Sequence, residues 1–217
     1  MPILVSCCLK GGVGKSTLAV HVAGELADRG RAVVLIDADR QGTGALWAEQ
    51  GEGLFFQVET DPLDDDADDA ELSAWCARIV KRGEGRTVVL DIPPHVGPVN
   101  QAALALADLA LIPVTASLAD IHAAAETIAM LGAVRAETGG SPKAMMVANR
   151  VQARRTSGRD LPALLSDFGE PVGPAIGDRA AFADAILSGE TVSRFAPRSK
   201  AAEEIGALVD QVEGMLS

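Results

Sequence analysis

The chain has 217 residues, enough for one well-buried domain and short for two. Apolar residues make up 48% of it, aromatic residues only 3%, and tyrosine is absent, a profile that suits an Ala/Val/Leu-rich α/β protein. The net charge of −11 argues against a surface that coats nucleic acid or anionic membrane as a whole, and leaves a local basic patch open. In chain order, the continuous apolar run PILVSCC (2–8) predicts a strand, and a glycine-rich loop, LKGGVGKST (9–17), follows it. Leu18, Val22 and Leu26 then stand at helical spacing over 16–29, with Gly30 ending the helix. AVVLID (32–37) predicts a second buried strand. ETDPLDDDADDAE (59–71) is a dense acidic run, read as a solvated loop leading toward the next helix, with docking of a basic partner as the alternative. TVVLDI (87–92), LALIPV (109–114) and KAMMVANRV (143–151) repeat the buried-strand pattern, with helices predicted near 99–107, 118–137, 157–168, 179–188 and 199–216. Continuous rather than alternating apolar strands imply a sheet covered on both faces. The expected fold is therefore α/β: a doubly wound, mostly parallel sheet between two helix layers, in a single domain over 1–217.

Cys7, Cys8 and Cys76 form no C-x-x-C pair and read as thiols in a reducing compartment, not as a metal or redox centre. The N-terminus runs directly into the glycine loop with no basic leader, and no apolar run approaches the roughly 20 residues of a membrane span. A cytoplasmic protein is expected.

The loop departs from the usual phosphate-binding pattern G-x-x-x-x-G-K-[ST] at one place, with Leu9 standing where the first glycine belongs and Lys10 following it. Gly11, Gly12 and Gly14 let backbone N–H groups surround phosphate oxygens, and the helix N-terminus at Lys15 and Ser16 adds its partial positive charge. The expected nucleotide cradle is Gly11, Gly12, Val13, Gly14, Lys15, Ser16 and Thr17, with Lys15 on the β- and γ-phosphates and Ser16 on Mg²⁺. Such a site needs acids for the metal and the water. Asp91 closes an apolar strand, and Asp37 and Asp39 follow the second strand at the edge where parallel sheets bind ligands. Asp37 and Asp91 are the metal candidates beside Ser16, and one of the pair Asp37 and Asp39 orients the attacking water.

KGGVGKST, followed by DADRQG, LDIPP and LIPVTASLAD, resembles the ParA/MinD family of deviant Walker-A P-loop ATPases over residues 3 to about 195. The resemblance implies that ATP is the nucleotide, with Mg²⁺, and that Lys10 reaches across a sandwich homodimer to the other subunit's phosphates. It also implies that Lys10, Lys15 and Asp39 are catalytic, Asp39 positioning the water, and that Asp91 is the Walker-B acid. It makes IPPH (92–95) a segment sensing the γ-phosphate, Asn149 an adenine-reading residue, and the backbone around Pro174 part of the base pocket. A cation from each subunit agrees with elementary electrostatics, since two facing triphosphates repel unless neutralised.

Missing parts narrow the family. The C-terminal segment KAAEEIGALVDQVEGMLS is acidic and reads as a packing helix, not a membrane-targeting one. No cysteines suit a shared cluster or metal delivery, and no tyrosine suits a tyrosine kinase. The compact ParA type remains: a partition ATPase that binds nonspecific DNA as an ATP dimer and is released when a ParB-like or adaptor protein stimulates hydrolysis, which would place it on the nucleoid. Residues 143–200 carry nine basic against six acidic residues. Arg150, Arg154, Arg155 and Arg159 form one candidate DNA group and Arg194, Arg198 and Lys200 a second. Two alternatives are a positioning switch that works through protein contacts alone, with 59–71 engaging a basic adaptor, and a small-molecule ATP-dependent ligase of the same superfamily.

Overall fold

The continuous apolar runs become neighbouring strands of one sheet in the computed structural model, which describes residues 1–217. The six strands are β1 (Ile3–Ser6), β2 (Val33–Asp37), β3 (Gln57–Thr60), β4 (Thr87–Asp91), β5 (Leu109–Val114) and β6 (Lys143–Ala148). Their order is β3-β2-β4-β1-β5-β6 and every pairing is parallel. The helices are α1 (Lys15–Asp28), α2 (Thr43–Ala48), α3 (Asp69–Arg82), α4 (Pro98–Leu106), α5 (Leu118–Thr138), α6 (Thr156–Ser166), α7 (Ala180–Ser188), the single turn α8 (Val192–Phe195) and α9 (Lys200–Leu216).

Alternate residues of each strand point to opposite faces, and both faces are apolar. Ile3 and Val5 of β1, with Val88 and Leu90 of β4, pack beneath Trp75 and Ile79 of α3, Val99 and Leu104 of α4, Leu131 of α5 and Leu165 of α6. Leu4 and Val89 face the other way, toward Leu18 and Val22 of α1, Trp47 of α2 and Ile205, Leu208 and Val209 of α9. The helix at the C-terminus thus buries its apolar stripe against α1 and the sheet, as a packing helix should. Arg29, at the end of α1, fastens it further through Asp210 and Glu213.

Three elements carry too little sequence signal to be anticipated. The edge strand β3, Gln-Val-Glu-Thr, has no apolar run, and α2 and α8 are six and four residues long. The helix α3 buries only Trp75 and Ile79, a stripe too narrow to stand out beside the acidic run. That run is less solvated than expected. Asp61 pairs with Arg78 and Arg82, Arg40 with Asp64, and His95 with Asp65. Asp68 closes a capping box, its side chain accepting from the Glu71 backbone N–H while the Glu71 carboxylate accepts from the Asp68 N–H. Acids in the first turn of α3 and Lys81 and Arg82 in its last turn complement the helix dipole. Asp68→Ala is expected to lower stability by about 1 kcal/mol, read as a shifted urea midpoint with an unchanged slope.

Candidate active site

Parallel register sets the site. Ser6 of β1 and Asp37 of β2 both pair in register with Asp91 of β4, so the strand ends bring two carboxylates and the start of the glycine loop to one edge. The loop turns on Gly12 (φ 82°) and Gly14 (φ 100°), conformations that side chains rarely adopt. Gly14 is also excluded sterically, because a Cβ there would stand 2.3 Å from the Asn149 Nδ2. That nitrogen donates to the Val13 carbonyl at 2.7 Å, clamping the loop from the end of β6. The Ser6 hydroxyl donates to the Lys15 carbonyl at 3.0 Å and fixes where α1 begins. Since Gly14 brings no capping side chain, the first N–H groups of α1 stay free for an anion.

Lys15 is buried and its ammonium donates to the Lys10 carbonyl at 3.2 Å. Burial lowers its pKa, while Asp91 and Asp39 work in the opposite direction. Asp91 is 1% exposed and neither carboxylate oxygen has a hydrogen-bond partner. Burial pushes its pKa up to about 7, with Asp37 adding to the rise and Ser16 and Lys15 opposing it. An orphaned buried carboxylate beside the Ser16 hydroxyl is a donor set that fits a divalent cation with oxygen ligands. The Asp37 carboxylate accepts from the backbone N–H groups of Asp39, Gly44 and Ala45 and so builds the turn into α2. Those contacts engage Asp37 within its own turn, while both Asp91 oxygens are left without a partner. Asp39 stands on the same turn, its own Oδ1 accepting from the Gln41 N–H at 2.9 Å.

Lys10 does not contact its own loop through its ammonium. It pairs with Asp120, in the first turn of α5, at 2.5 Å. The Thr115 hydroxyl also donates to Asp120, and the Asp120 N–H donates to Ser117, the N-cap of the helix. Burial opposes ionisation of Asp120, but Lys10, Thr115 and Ser117 outweigh it and hold the carboxyl below the usual range. Sequence reasoning gave Asp120 no role, because an acid in the first turn of a helix is so often a dipole partner alone. The same rim opens onto a cleft of about 410 Å³ lined by Lys10, Gly12, Asp120, Arg150, Arg155 and Asp178 among others.

The candidate DNA residues separate into two kinds. Arg150, Arg154, Arg155, Arg159 and Arg198 make no ion pair, and Arg150 and Arg155 share the cleft with Lys10. Arg194 and Lys200, of the second candidate group, are paired within the chain. Arg194 reaches Asp28 at 2.9 Å and lies over the Phe55 ring, and Lys200 reaches Glu203 at 2.8 Å.

A pocket of about 200 Å³ lies on the other side of Asn149, walled by Thr17, Leu18, Ile176, Arg179 and Phe182 among others. Pro174 is not part of that wall, which begins two residues later at Ile176. Its floor contains a residue without a sequence signal, His21, whose Nδ1 accepts from the Val192 N–H at 3.1 Å. Burial drops the His21 pKa to about 3, so the ring is neutral. Burial likewise raises Cys7 to about 12 and raises Cys8, so both are protonated, buried thiols.

A family model for the CobQ/CobB/MinD/ParA nucleotide-binding domain matches residues 4–192. The chain belongs to this family. Among relatives it is 29% identical, over 94% of its own length and 93% of the other's, to the maintenance of carboxysome distribution protein A of Halothiobacillus neapolitanus. It is 30% identical to the chromosome-partitioning ATPase Soj of Thermus thermophilus, over 94% and 92% of the two chains. In structure it is similar to apo McdA of Cyanthece (TM-score 0.79, 19% identity, all of both chains). It is also similar to MinD in a MinC:MinD complex of Aquifex aeolicus (TM-score 0.79, 19% identity, 99% and 96% of the chains), and these likenesses establish the fold. The ParA/MinD chain described here is an ATPase, and the P-loop NTPase fold expected of it is the fold observed.

The state of Asp91 yields a pH prediction. Its carboxyl titrates near 7 in the folded protein and near 3.8 when unfolded. The native state therefore binds the extra proton between those values, and stability falls as pH rises through that window before levelling off above about pH 7. Asp91→Asn removes the buried charge, so without nucleotide it is expected to be more stable than the parent at pH 8, by on the order of 2 kcal/mol. At pH 4 the two should match, as measured by urea unfolding.

Proposed function

We propose that the chain is a ParA-type positioning ATPase that closes into a sandwich homodimer on ATP, binds nonspecific DNA in that state, and is reset by partner-stimulated hydrolysis. The observation that carries this reading is the rim beside the phosphate loop. Lys10, with 40% of its side chain exposed, stands there on Asp120 and shares a cleft with two unpaired arginines, Arg150 and Arg155. One loop of backbone N–H groups and Lys15 already serves the chain's own phosphates, so this outward cation set suits the phosphates of a second copy. The names of the relatives, one for carboxysome distribution and one for chromosome partitioning, support a positioning role.

In this mechanism the N–H groups of Gly11–Lys15 and the Lys15 ammonium bind the β- and γ-phosphates. Ser16 and Asp91 would hold Mg²⁺, which neutralises charge on the same oxygens when bound. Asp39 orients the attacking water and accepts its proton. The pocket beyond Asn149 receives the base, and because one Asn149 amide N–H is engaged by Val13, its carbonyl oxygen and second N–H are left for that base. Unpaired Arg154, Arg159 and Arg198 supply sequence-blind phosphate contacts, doubled in a dimer. No helix is long and apolar enough to cross a membrane. A switch driven by a basic adaptor on 59–71 is the less supported reading, since Asp61, Asp64 and Asp65 already have basic partners in the chain.

Asp39→Ala should retain MgATP binding and accumulate as a dimer in light scattering, because the phosphate cradle survives while the water loses its guide. That dimer should be retained on nonspecific DNA at about 50 mM salt and released by about 200 mM. A monomer in saturating MgATP would refute the sandwich, and a dimer that ignores DNA at low salt would refute the nucleoid version. Lys15→Ala is expected to abolish nucleotide binding, measured by calorimetry.

A further inference from the structure

The segment that leaves β4 beyond Asp91 has an unusual supply of hydrogen bonds. Pro93 and Pro94 have no N–H, and residues Pro93–Val96 make no backbone–backbone hydrogen bond at all. The segment nevertheless lies against the phosphate loop, since a Cβ on Gly11 would be 3.9 Å from the Pro94 Cγ. One buried side chain holds its backbone. Asn100, in the first turn of α4 and 1% exposed, donates from Nδ2 to the Pro93 carbonyl at 2.9 Å and to the His95 carbonyl at 2.6 Å.

The Asn100 oxygen is buried without a partner, so those two bonds are the only ones the amide makes. A buried amide with an unsatisfied oxygen is unfavourable, and packing alone does not explain its presence among apolar neighbours such as Val99 and Ala103. The outer side of the segment is held only by the His95–Asp65 contact at 2.6 Å, with side chains 39% and 58% exposed. Solvent and salt screen such a pair, whereas the Asn100 bonds are out of water.

We infer that Asn100 is a positioning residue for hydrolysis: its amide sets where the Pro93–His95 backbone stands against the phosphate loop, and so where the terminal phosphate and the attacking water meet that segment. This rests on the ATP-hydrolysing site proposed above, against whose phosphate loop Pro94 packs. Asn100 touches no reacting atom and acts through the two carbonyls it holds.

The test compares Asn100→Ala and Asn100→Ser with the parent full-length protein, measuring kcat and KM for MgATP, MgADP affinity by calorimetry, and melting temperature. Asn100→Ala should lower kcat about tenfold or more while KM and MgADP affinity stay within about twofold, and Asn100→Ser, which keeps one small donor, should recover part of the loss. A kcat that is unchanged or raised overturns the inference, as does a parallel loss of turnover and MgADP affinity, the pattern of a merely structural residue. If Asn100→Ala does not fold, Asn100→Ser decides alone: a drop in kcat of about threefold or more at constant MgADP affinity supports the inference, and a smaller one overturns it. Failure of the underlying reading looks different, because the parent would then neither bind MgADP nor turn over MgATP.

Discussion

The in-register ending of β1, β2 and β4 is the constraint on which the site depends. Parallel pairing places Ser6, Asp37 and Asp91 side by side at one sheet edge, and both helix layers exclude water from that edge. Two carboxylates cannot share such a place as equals. Burial raises the pKa of both, but three backbone N–H groups of its own turn oppose the rise at Asp37, whereas no backbone N–H does so at Asp91, which is pushed up to about 7. The asymmetry commits Asp37 to the turn into α2 and leaves both Asp91 oxygens without a partner. It also explains why Lys15 tolerates burial, since Asp91 and Asp39 offset part of its desolvation.

A second ion pair links this interior to the surface. Lys10 is tethered to Asp120, whose charge is reinforced by Thr115 and Ser117. A half-exposed lysine is held loosely, because surface ion pairs are worth about 0–1 kcal/mol. A polyphosphate presented from a second copy carries more charge than one carboxylate and competes for the same ammonium. In the proposed dimer the tether thus keeps Lys10 at the rim without consuming it, and Arg150 and Arg155 widen the same cationic surface. Under that proposal Arg150 and Arg155 serve the dimer face, while Arg154, Arg159 and Arg198 stay available to DNA.

Much of the fold was legible because buried parallel strands announce themselves. VVLID, TVVLD and LALIPV are apolar on both faces, and each became a strand with at most a residue's difference at its ends. Elements whose stability comes from neighbours were less legible: β3 pairs as a polar edge, and α3 is held by a capping box and ion pairs instead of a broad apolar stripe. At the site, the glycine loop and Asp91 were readable because their chemistry needs those residue types in that local context. Asp120 and His21 were not, because each gains its partner, Lys10 or Val192, from a distant part of the chain, and Asn100 was not, because an Asn in the first turn of a helix ordinarily signals no more than a helix start. The contacts of Arg194 with Asp28 and Phe55 were not legible because both partners lie more than a hundred residues away in sequence.

The account turns on Lys10 serving a second copy of the chain and not its own nucleotide. Its most direct test is the mass in solution of Lys10→Ala, in the presence of MgATP, with nucleotide binding followed in the same samples. The account predicts a protein that binds MgATP with near-parental affinity yet stays monomeric where the parent dimerises. A Lys10→Ala protein that dimerises like the parent would contradict it, and so would one that has lost MgATP binding as a monomer.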